Sequence, residues 1–296
     1  MSPTPPTWFA LAAAATLAGC QEVVDLGADE PSQLAIESRL HAGAPLRVDL
    51  RVTNSFGQVA QTEILAEATG YIEGSDGRLA PLQLIWRNAD KAVLGQDTLI
   101  IAEGVTYTLH LRAPGFAPVT SLTTVPRGVR LDESPPGALP SEAPRDSTSF
   151  TTRLYFQDDP DEANYYHVFV RVIDAAGDSL GTDDAPALRA VPVSLLTTVD
   201  LLPASRSAWL FDDRHFSDGA FDARVVVPAD AVAELAAPTA ILEVRSVSRA
   251  YYRALRTDLG RRGNPVPSAT AGADNVLNGG GLFASYATTV VQQPLR

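Results

Sequence analysis

The sequence predicts an all-β protein: an N-terminal β-sandwich is followed by a second, larger antiparallel β domain with one amphipathic helix. Two segments, PLRVDLRVTN and VTYTLHLRAPG, lead to this prediction because apolar and polar side chains alternate along each of them. Alternation with a period of two is typical of strands with one buried and one solvated face, as in antiparallel sheets. The third observation is the segment SVSRAYYRALRTDLGRR, whose apolar residues have helical spacing.

The strand segments up to residue 126 predict a sandwich of immunoglobulin-like or prealbumin-like size, with a hairpin turn at Ser75-Asp76-Gly77. Residues 127–147 are rich in proline and predict a linker or a long crossing loop. Strand patterns resume after it, and YYHVFVRVID is apolar on both faces, which predicts a central strand. The helix is expected near 248–259, with Ser248 as its N-cap and Gly260 as its C-cap. The expected division is 1–19 signal peptide, 20–33 tether, 34–126 first domain, 127–147 linker and 148–296 second domain.

Composition bounds the classes of function. The 296 residues carry 35 acidic against 23 basic side chains, a formal net charge of −12, and 45 % are hydrophobic. This balance is that of a folded chain, and its acidity argues against a nucleic-acid partner because phosphates need a basic footprint. The one cysteine excludes an intrachain disulfide and a thiolate cluster. No cofactor is expected.

The N-terminal segment MSPTPPTWFALAAAATLAGC has an apolar run that is too short to span a membrane and is typical of a signal peptide. Its end, Leu17-Ala18-Gly19-Cys20, resembles the lipobox of bacterial lipoproteins, which implies cleavage before Cys20 and lipidation of its thiol. The segment departs from that pattern because it has no Lys or Arg before the apolar run. A buried strand with Cys20 as a small apolar residue is the alternative. Gln21, rather than Asp, follows the cysteine, and by the same resemblance this favours the outer membrane, facing either the periplasm or the exterior.

The stretch QDDPDEANYY is the densest acidic segment, and its oxygens suggest a weak calcium candidate at Asp158, Asp159 and Asp161. The spacing matches no EF-hand, and Pro160 interrupts it, so a solvated acidic turn between two strands is the favoured interpretation. The four histidines are far apart in sequence and form no metal-binding motif. No metal is therefore expected.

A second acidic segment, FDDRHFSDGAFD, contains Asp212, Asp213 and Asp218 near His215 and Ser217. A serine, a histidine and several aspartates are compatible with a hydrolase, but the chain has no G-x-S-x-G nucleophile motif. The favoured interpretation is a tight turn at Ser217-Asp218-Gly219 within a loop that binds a partner.

The run Asn278-Gly279-Gly280-Gly281 lacks the Lys-Ser/Thr of a phosphate-binding loop. It indicates a sharp bend or a close approach of backbone. Together with Phe283 it is also a candidate binding surface.

The chain resembles the Bacteroidota outer-membrane lipoprotein family known as domain of unknown function 4249. The resemblance lies in the order of its motifs: the lipobox cysteine, GVTYTLHL (104–111), TTVP (123–126), FQDDPDEANYY (156–166), FDDRHFSDGAFD (211–222), VRSVSRAYYR (244–253) and NVLNGGGLFASY (275–286). It implies an all-β outer-membrane lipoprotein that often accompanies TonB-dependent receptors, and it carries no catalytic residues.

These observations predict a lipid-anchored, non-enzymatic binding protein of the cell envelope whose partner is a TonB-dependent outer-membrane receptor. The candidate binding loops are 211–222 and 275–286. An extracytoplasmic hydrolase that uses a carboxylate pair such as Asp212 and Asp218 on a glycan remains an alternative. A structural or adhesive surface module is another.

Overall fold

The structure is a computed structural model that describes residues 32–53, 65–88, 91–131, 148–158, 162–173, 179–180, 193–197, 199–205, 207–216, 219–233, 235, 237–261 and 275–295. Strands dominate it, which confirms the predicted all-β class. The strands are β1 (Gln33–His41), β2 (Pro45–Thr53), β3 (Thr69–Gly74), β4 (Leu79–Arg87), β5 (Ala92–Ile100), β6 (Thr106–Arg112), β7 (Val119–Thr124), β8 (Arg130–Leu131), β9 (Ser149–Gln157), β10 (Tyr165–Ile173), β11 (Ser179–Leu180), β12 (Ser194–Leu196), β13 (Leu202–Ser205), β14 (Ala208–Asp212), β15 (Ala220–Pro228), β16 (Thr239–Val247), β17 (Val276–Leu277) and β18 (Gly280–Pro294). One α-helix, α1 (Arg249–Arg261), follows β16.

The first sandwich is built by the strands whose alternation the sequence displays. On β2, Leu46, Val48 and Leu50 are fully buried in its core. Strand β4 belongs to both of its sheets, because residues 79–82 pair with β3 and residues 83–87 pair with β5. The turn between β3 and β4 is the predicted hairpin, and Gly77 occupies it with φ +84°.

The second sandwich packs one side of a long sheet against a smaller sheet. The long sheet contributes β13-β14-β10-β16-β18, with β11 paired to β10, and the smaller one has the order β12-β15-β9-β8. Strand β10 lies between β14 and β16, in agreement with the prediction that it is central. Strand β8 pairs with β9, so the segment predicted as a linker begins with residues that belong to this smaller sheet.

Strand β18 joins the two sandwiches. Its residues 280–286 run parallel to β1, and its residues 286–294 run antiparallel to β16. Just before it, β17 pairs with β7. The side chains of Val276 and Phe283 therefore lie in the first core, although the sequence division assigns this segment to the second domain.

Helix α1 lies on the outer face of the long sheet. Its N-cap is Ser248, as predicted: the Ser248 hydroxyl accepts a hydrogen bond from the N–H of Tyr251 at 3.4 Å. The predicted C-cap, Gly260, is instead inside the helix, which ends at Arg261. Tyr251 and Tyr252 on its buried side pack in one cluster with Leu282 and Ala284 of β18.

Within the described part of the chain, no helix has both the length and the apolar character needed to cross a membrane.

Candidate functional site

The two acidic segments that the sequence singles out meet at one edge of the second sandwich. The pairings explain this: β9 and β15 are neighbours in the small sheet, and β10 and β14 are neighbours in the long sheet. Gln157 lies opposite Ala220, and Tyr165 lies opposite Asp212. The β9–β10 and β14–β15 connections therefore both cross between the two sheets at the same place.

Hydrogen bonds fix the two connections to each other. The N–H of Asp158 donates to the carbonyl of Gly219 at 2.8 Å. The N–H of Asn164 donates to the Asp213 carboxylate at 2.6 Å, and the N–H of Asp213 donates back to the Asn164 carbonyl at 3.2 Å. The Asn164 side chain also donates to the Asp158 carboxylate at 2.8 Å. Three of these bonds join the two connections, and the fourth, from Asn164 to Asp158, lies within the β9–β10 connection.

A cluster of aromatic rings forms the floor under these loops. Phe211 stacks on Phe221 with ring centroids 4.6 Å apart, and Phe156 stacks on Phe221 at 5.0 Å. Tyr166 and Phe216 are stacked at 5.7 Å, and the Tyr166 hydroxyl donates a hydrogen bond to the Asp158 carboxylate. Because these rings fill the end of the second core, the loops above them rest on a close-packed base.

Between the loops lies an open cleft of about 430 Å³. Three carboxylates, one guanidinium and an aromatic edge line it, from Asp158, Glu162, Ala163, Asp213, Arg214, Phe216 and Gly219. Arg214 is the cationic group of the cleft, and its side chain is 68 % exposed. The cleft can therefore accept hydrogen bonds from a polar ligand at its carboxylates and donate them from Arg214.

The buried carboxylate of Asp212 holds the Arg214 side chain in place through an ion pair. The Arg214 Nε and Nη2 donate to the two Asp212 oxygens at 2.8 and 2.7 Å, and the Tyr252 hydroxyl of α1 donates to Asp212 at 3.1 Å. Burial alone would raise the pKa of Asp212, but the hydrogen bonds from Arg214 and Tyr252 outweigh it and hold that pKa below its ordinary value. Asp212 is thus an ionised support for Arg214.

A smaller hollow of about 120 Å³ lies on the other side of Arg214. It is bounded by Asp200, Leu201, Leu202, Leu210, Asp212, Arg214, Tyr252 and Arg256. Through Tyr252 and Arg256 it connects the cleft to helix α1.

Some of the predicted site residues lie at the cleft, and others lie outside the described residues. Asp158 and Asp213 line the cleft, and Asp212 supports it from below. Cys20, Asp159, Asp161, Ser217 and Asp218 lie outside the described residues, as do the signal peptide and most of the tether and of the linker. Among the residues that are described, no group of three His, Cys, Asp or Glu could hold a metal ion.

Sequence reasoning missed the roles of Arg214, Phe216 and Tyr252. Arg214 was visible within the second acidic segment, and its position two residues after Asp212 permits the observed ion pair. Tyr252 belongs to the helix pattern, and nothing local to it indicates a contact with Asp212, which lies 40 residues earlier.

The glycine run has a structural role. Asn278 adopts φ +61°, and its side-chain amide donates to the Pro118 carbonyl at 3.1 Å. A Cβ on Gly279 would lie 2.6 Å from the Leu34 carbonyl oxygen, so the backbone of Gly279 and Gly280 passes close beside β1. The expected close approach of backbone is therefore confirmed. Phe283 is fully buried, so its side chain is not on a binding face.

Comparison with known proteins gives one family. A family model described as domain of unknown function (DUF4249) matches residues 21–292. No curated protein matches the chain. A solved structure, a DUF4785 family protein from Legionella pneumophila subsp. pneumophila str. Philadelphia 1, is 9 % identical with a TM-score of 0.27. That alignment covers 73 % of this chain and 52 % of the other, so this chain spans about half the length of that protein. At this TM-score the likeness does not establish a shared fold.

Proposed function

The chain belongs to the family described as domain of unknown function 4249, and from that premise we propose that it is a lipid-anchored binding protein of the cell envelope. It performs no catalysis. It binds its partner, a TonB-dependent outer-membrane receptor, at the cleft between the β9–β10 and β14–β15 connections. The observation that carries the proposal is the cleft itself, whose walls are fixed by hydrogen bonds and rest on packed aromatic rings. A preformed polar cleft binds without the entropic cost of ordering loops.

The state of Asp212 favours binding over hydrolysis. A glycoside hydrolase needs one carboxylic acid with a raised pKa to protonate the leaving oxygen. The pKa of Asp212 is lowered, and both of its oxygens already accept hydrogen bonds from Arg214. Its position therefore suits an electrostatic support rather than a proton donor.

The chemistry of the cleft indicates what the partner presents. Glu162 and Asp213 offer oxygen acceptors in the lining of the cleft, and Arg214 offers donors. A receptor loop with a lysine or arginine next to a carboxylate would match this pattern, because it would pair with both charges.

Removal of the anchor is expected to move the protein out of the membrane. With Cys20→Ser no thioether can form, and acyl chains that each contribute about 0.8 kcal/mol per buried CH₂ are lost. Fractionation of cells that produce the variant should recover most of the protein in the soluble fraction. Retention in the membrane fraction at the wild-type level would contradict the lipid anchor.

Substitutions in the cleft are expected to weaken capture of the receptor. Glu162→Gln combined with Arg214→Gln removes one negative and one positive charge of the cleft without changing net charge, and charged hydrogen bonds of about 1.5–3 kcal/mol each predict a loss of about 100-fold or more. The measurement is affinity purification of the full-length protein from mildly solubilised native membranes, with the receptor quantified by mass spectrometry.

The matched control is Glu73→Gln combined with Arg112→Gln, two exposed residues of the first sandwich. It makes the same charge changes away from the cleft and should leave capture unchanged. Equal capture by both double variants would remove the cleft from the proposal, and absence of any outer-membrane barrel from the eluate would remove the receptor.

A further inference from the structure

Helix α1 carries a row of arginines in an otherwise acidic protein. Arg249, Arg253 and Arg256 are all exposed, whereas Tyr251 and Tyr252 beside them are buried against the sheet. Positions separated by four and three residues lie on one side of a helix, so the three guanidinium groups follow a single line. The whole chain has a net charge of −12, so this row is a local reversal of sign.

The described part of the fold supplies no acidic partner for these three arginines. No ion pair joins any of the three to a carboxylate of the described residues. Arg256 lies over the Tyr252 ring at 6.0 Å, and the half-exposed Arg39 of β1 lies over the Tyr251 ring at 5.9 Å. Arg39 lies on the sheet beside the helix and is paired with Glu37 at 3.6 Å, so it is not counted with the three helix arginines. We call Arg249, Arg253 and Arg256 the arginine face.

The start of the folded chain lies near the arginine face. Helix α1 packs on Leu282, which is paired with Glu37 of β1. Strand β1 begins at Gln33, four residues before Glu37, which corresponds to about 13 Å along a strand. Thirteen residues connect Cys20 to Gln33, and they can reach at most about 45 Å. A chain held at Cys20 therefore keeps the arginine face within reach of the bilayer.

We propose that the arginine face docks on the anionic phosphate headgroups of the membrane to which the chain is anchored. This inference rests on the lipid-anchor part of the proposed function. The contact is electrostatic, because the apolar side of α1 is already buried on the sheet and cannot insert into lipid. Docking fixes which side of the second sandwich faces the membrane, and it places the cleft next to the membrane surface because Arg256 borders the hollow beside Arg214.

The single cysteine makes a direct test feasible. The chain from Cys20 to Arg296 is coupled at Cys20 to a maleimide with one fourteen-carbon chain, and its partition onto neutral phosphatidylcholine vesicles and vesicles with added phosphatidylglycerol is measured by sedimentation. One such chain gives only marginal, reversible binding, so a second contribution is measurable. A basic residue near an anionic surface contributes about fivefold, so Arg249→Gln, Arg253→Gln and Arg256→Gln together should weaken binding to anionic vesicles by about 100-fold. Binding to neutral vesicles should not change.

The control is a triple variant of equal net charge, Arg127→Gln, Arg130→Gln and Arg224→Gln. All three are exposed: Arg130 and Arg224 lie on the small sheet, on the opposite side of the second sandwich from α1, and Arg127 lies beside Gly104 of the first sandwich. The proposal expects the control to bind anionic vesicles nearly as well as the unaltered chain, and expects the preference of both to disappear in high salt. Equal losses in the two triple variants, or no effect of the α1 substitutions, would overturn it. Because the coupled lipid replaces the natural anchor and no receptor is present, such a failure would not bear on the receptor or on lipidation in cells.

Discussion

Gly281→Ala is expected to lower the free energy of unfolding by more than about 4 kcal/mol, or to prevent folding. Gly281 has φ +107°, a conformation that L side chains rarely adopt, and an added Cβ would lie 2.0 Å from the carbonyl oxygen of Ile36. Backbone cannot move aside as a side chain can, because Ile36 and Gly281 are paired within the parallel β1–β18 ladder. Strand β18 pairs with β1 of the first sandwich and with β16 of the second, so displacement of the β1–β18 ladder would destabilise both sandwiches.

The measurement is urea unfolding of the variant, followed by circular dichroism, beside Gly115→Ala. Gly115 also has a positive φ, +80°, but an added Cβ there would meet nothing within 4 Å. In Gly115→Ala the free energy of unfolding should therefore fall by only about 1–2 kcal/mol, the conformational cost of a positive φ in a residue with a Cβ. If Gly281→Ala were as mild as Gly115→Ala, the close approach of β18 to β1 would be wrong.

This structural role changes how deletions near the glycine run should be interpreted. Residues 278–279 connect β17 to β18, residues 280–281 are the first of β18, and Phe283 just beyond them packs in the first core. A protein that lacks 278–281 would lose the β1–β18 pairing. Loss of partner capture after such a deletion would report on folding and would not locate a binding face.

The strands and the helix could be predicted because their signals are local. In β2 and β6 the alternation of apolar and polar residues matches the alternation of buried and exposed side chains. Ser248 was identifiable as the N-cap because a serine before an apolar row with helical spacing is itself the signal. Gly260 carried a similar signal for the other end, but the helix continues past it to Arg261.

The assembly of the site could not be predicted because it depends on pairings between distant segments. A period of two shows which face of a strand is buried but not which strand lies beside it. The parallel pairing of β1 with β18 joins the two ends of the folded chain, and the Asp213–Asn164 contacts join residues 49 positions apart. The glycine run signalled a close approach, yet the carbonyl groups that it approaches were visible only in the fold.

Acidification is expected to weaken the fold through His167, beginning at a pH well above the one at which carboxylates titrate. His167 is buried beneath α1, with its Nδ1 3.2 Å from the Tyr251 hydroxyl, and its Nε2 has no hydrogen-bond partner among the described residues. Burial, reinforced by the nearby charge of Arg245, lowers the pKa of His167 from 6.5 to about 3. Between pH 6.5 and about 3, His167 therefore binds a proton in the unfolded chain but not in the folded state.

The direction in which stability changes with pH follows from this difference in proton binding. Above pH 6.5 His167 is neutral in both states and has no effect on stability. Between pH 6.5 and about 3 the unfolded chain binds one more proton, so stability falls by about 1.4 kcal/mol per pH unit as the pH decreases. From pH 7 to pH 4.5 this single group should cost about 2–3 kcal/mol. The carboxyl of Asp212, whose pKa is lowered from 3.8, adds its loss only at lower pH.

Urea unfolding at pH 7 and pH 4.5 separates the contribution of His167 from that of other groups. His167→Gln keeps a polar group opposite Tyr251 but cannot bind the proton. Between the two pH values, the free energy of unfolding of the variant should therefore fall by about 2–3 kcal/mol less than that of the wild type. His41→Gln is the companion variant: burial and Arg245 also lower the pKa of His41, but its side chain is only partly buried and the change should be smaller. Equal losses in wild type and His167→Gln would mean that His167 is already solvated in the native state. The docking of α1 on the sheet would then be looser than the contacts of Tyr251 indicate.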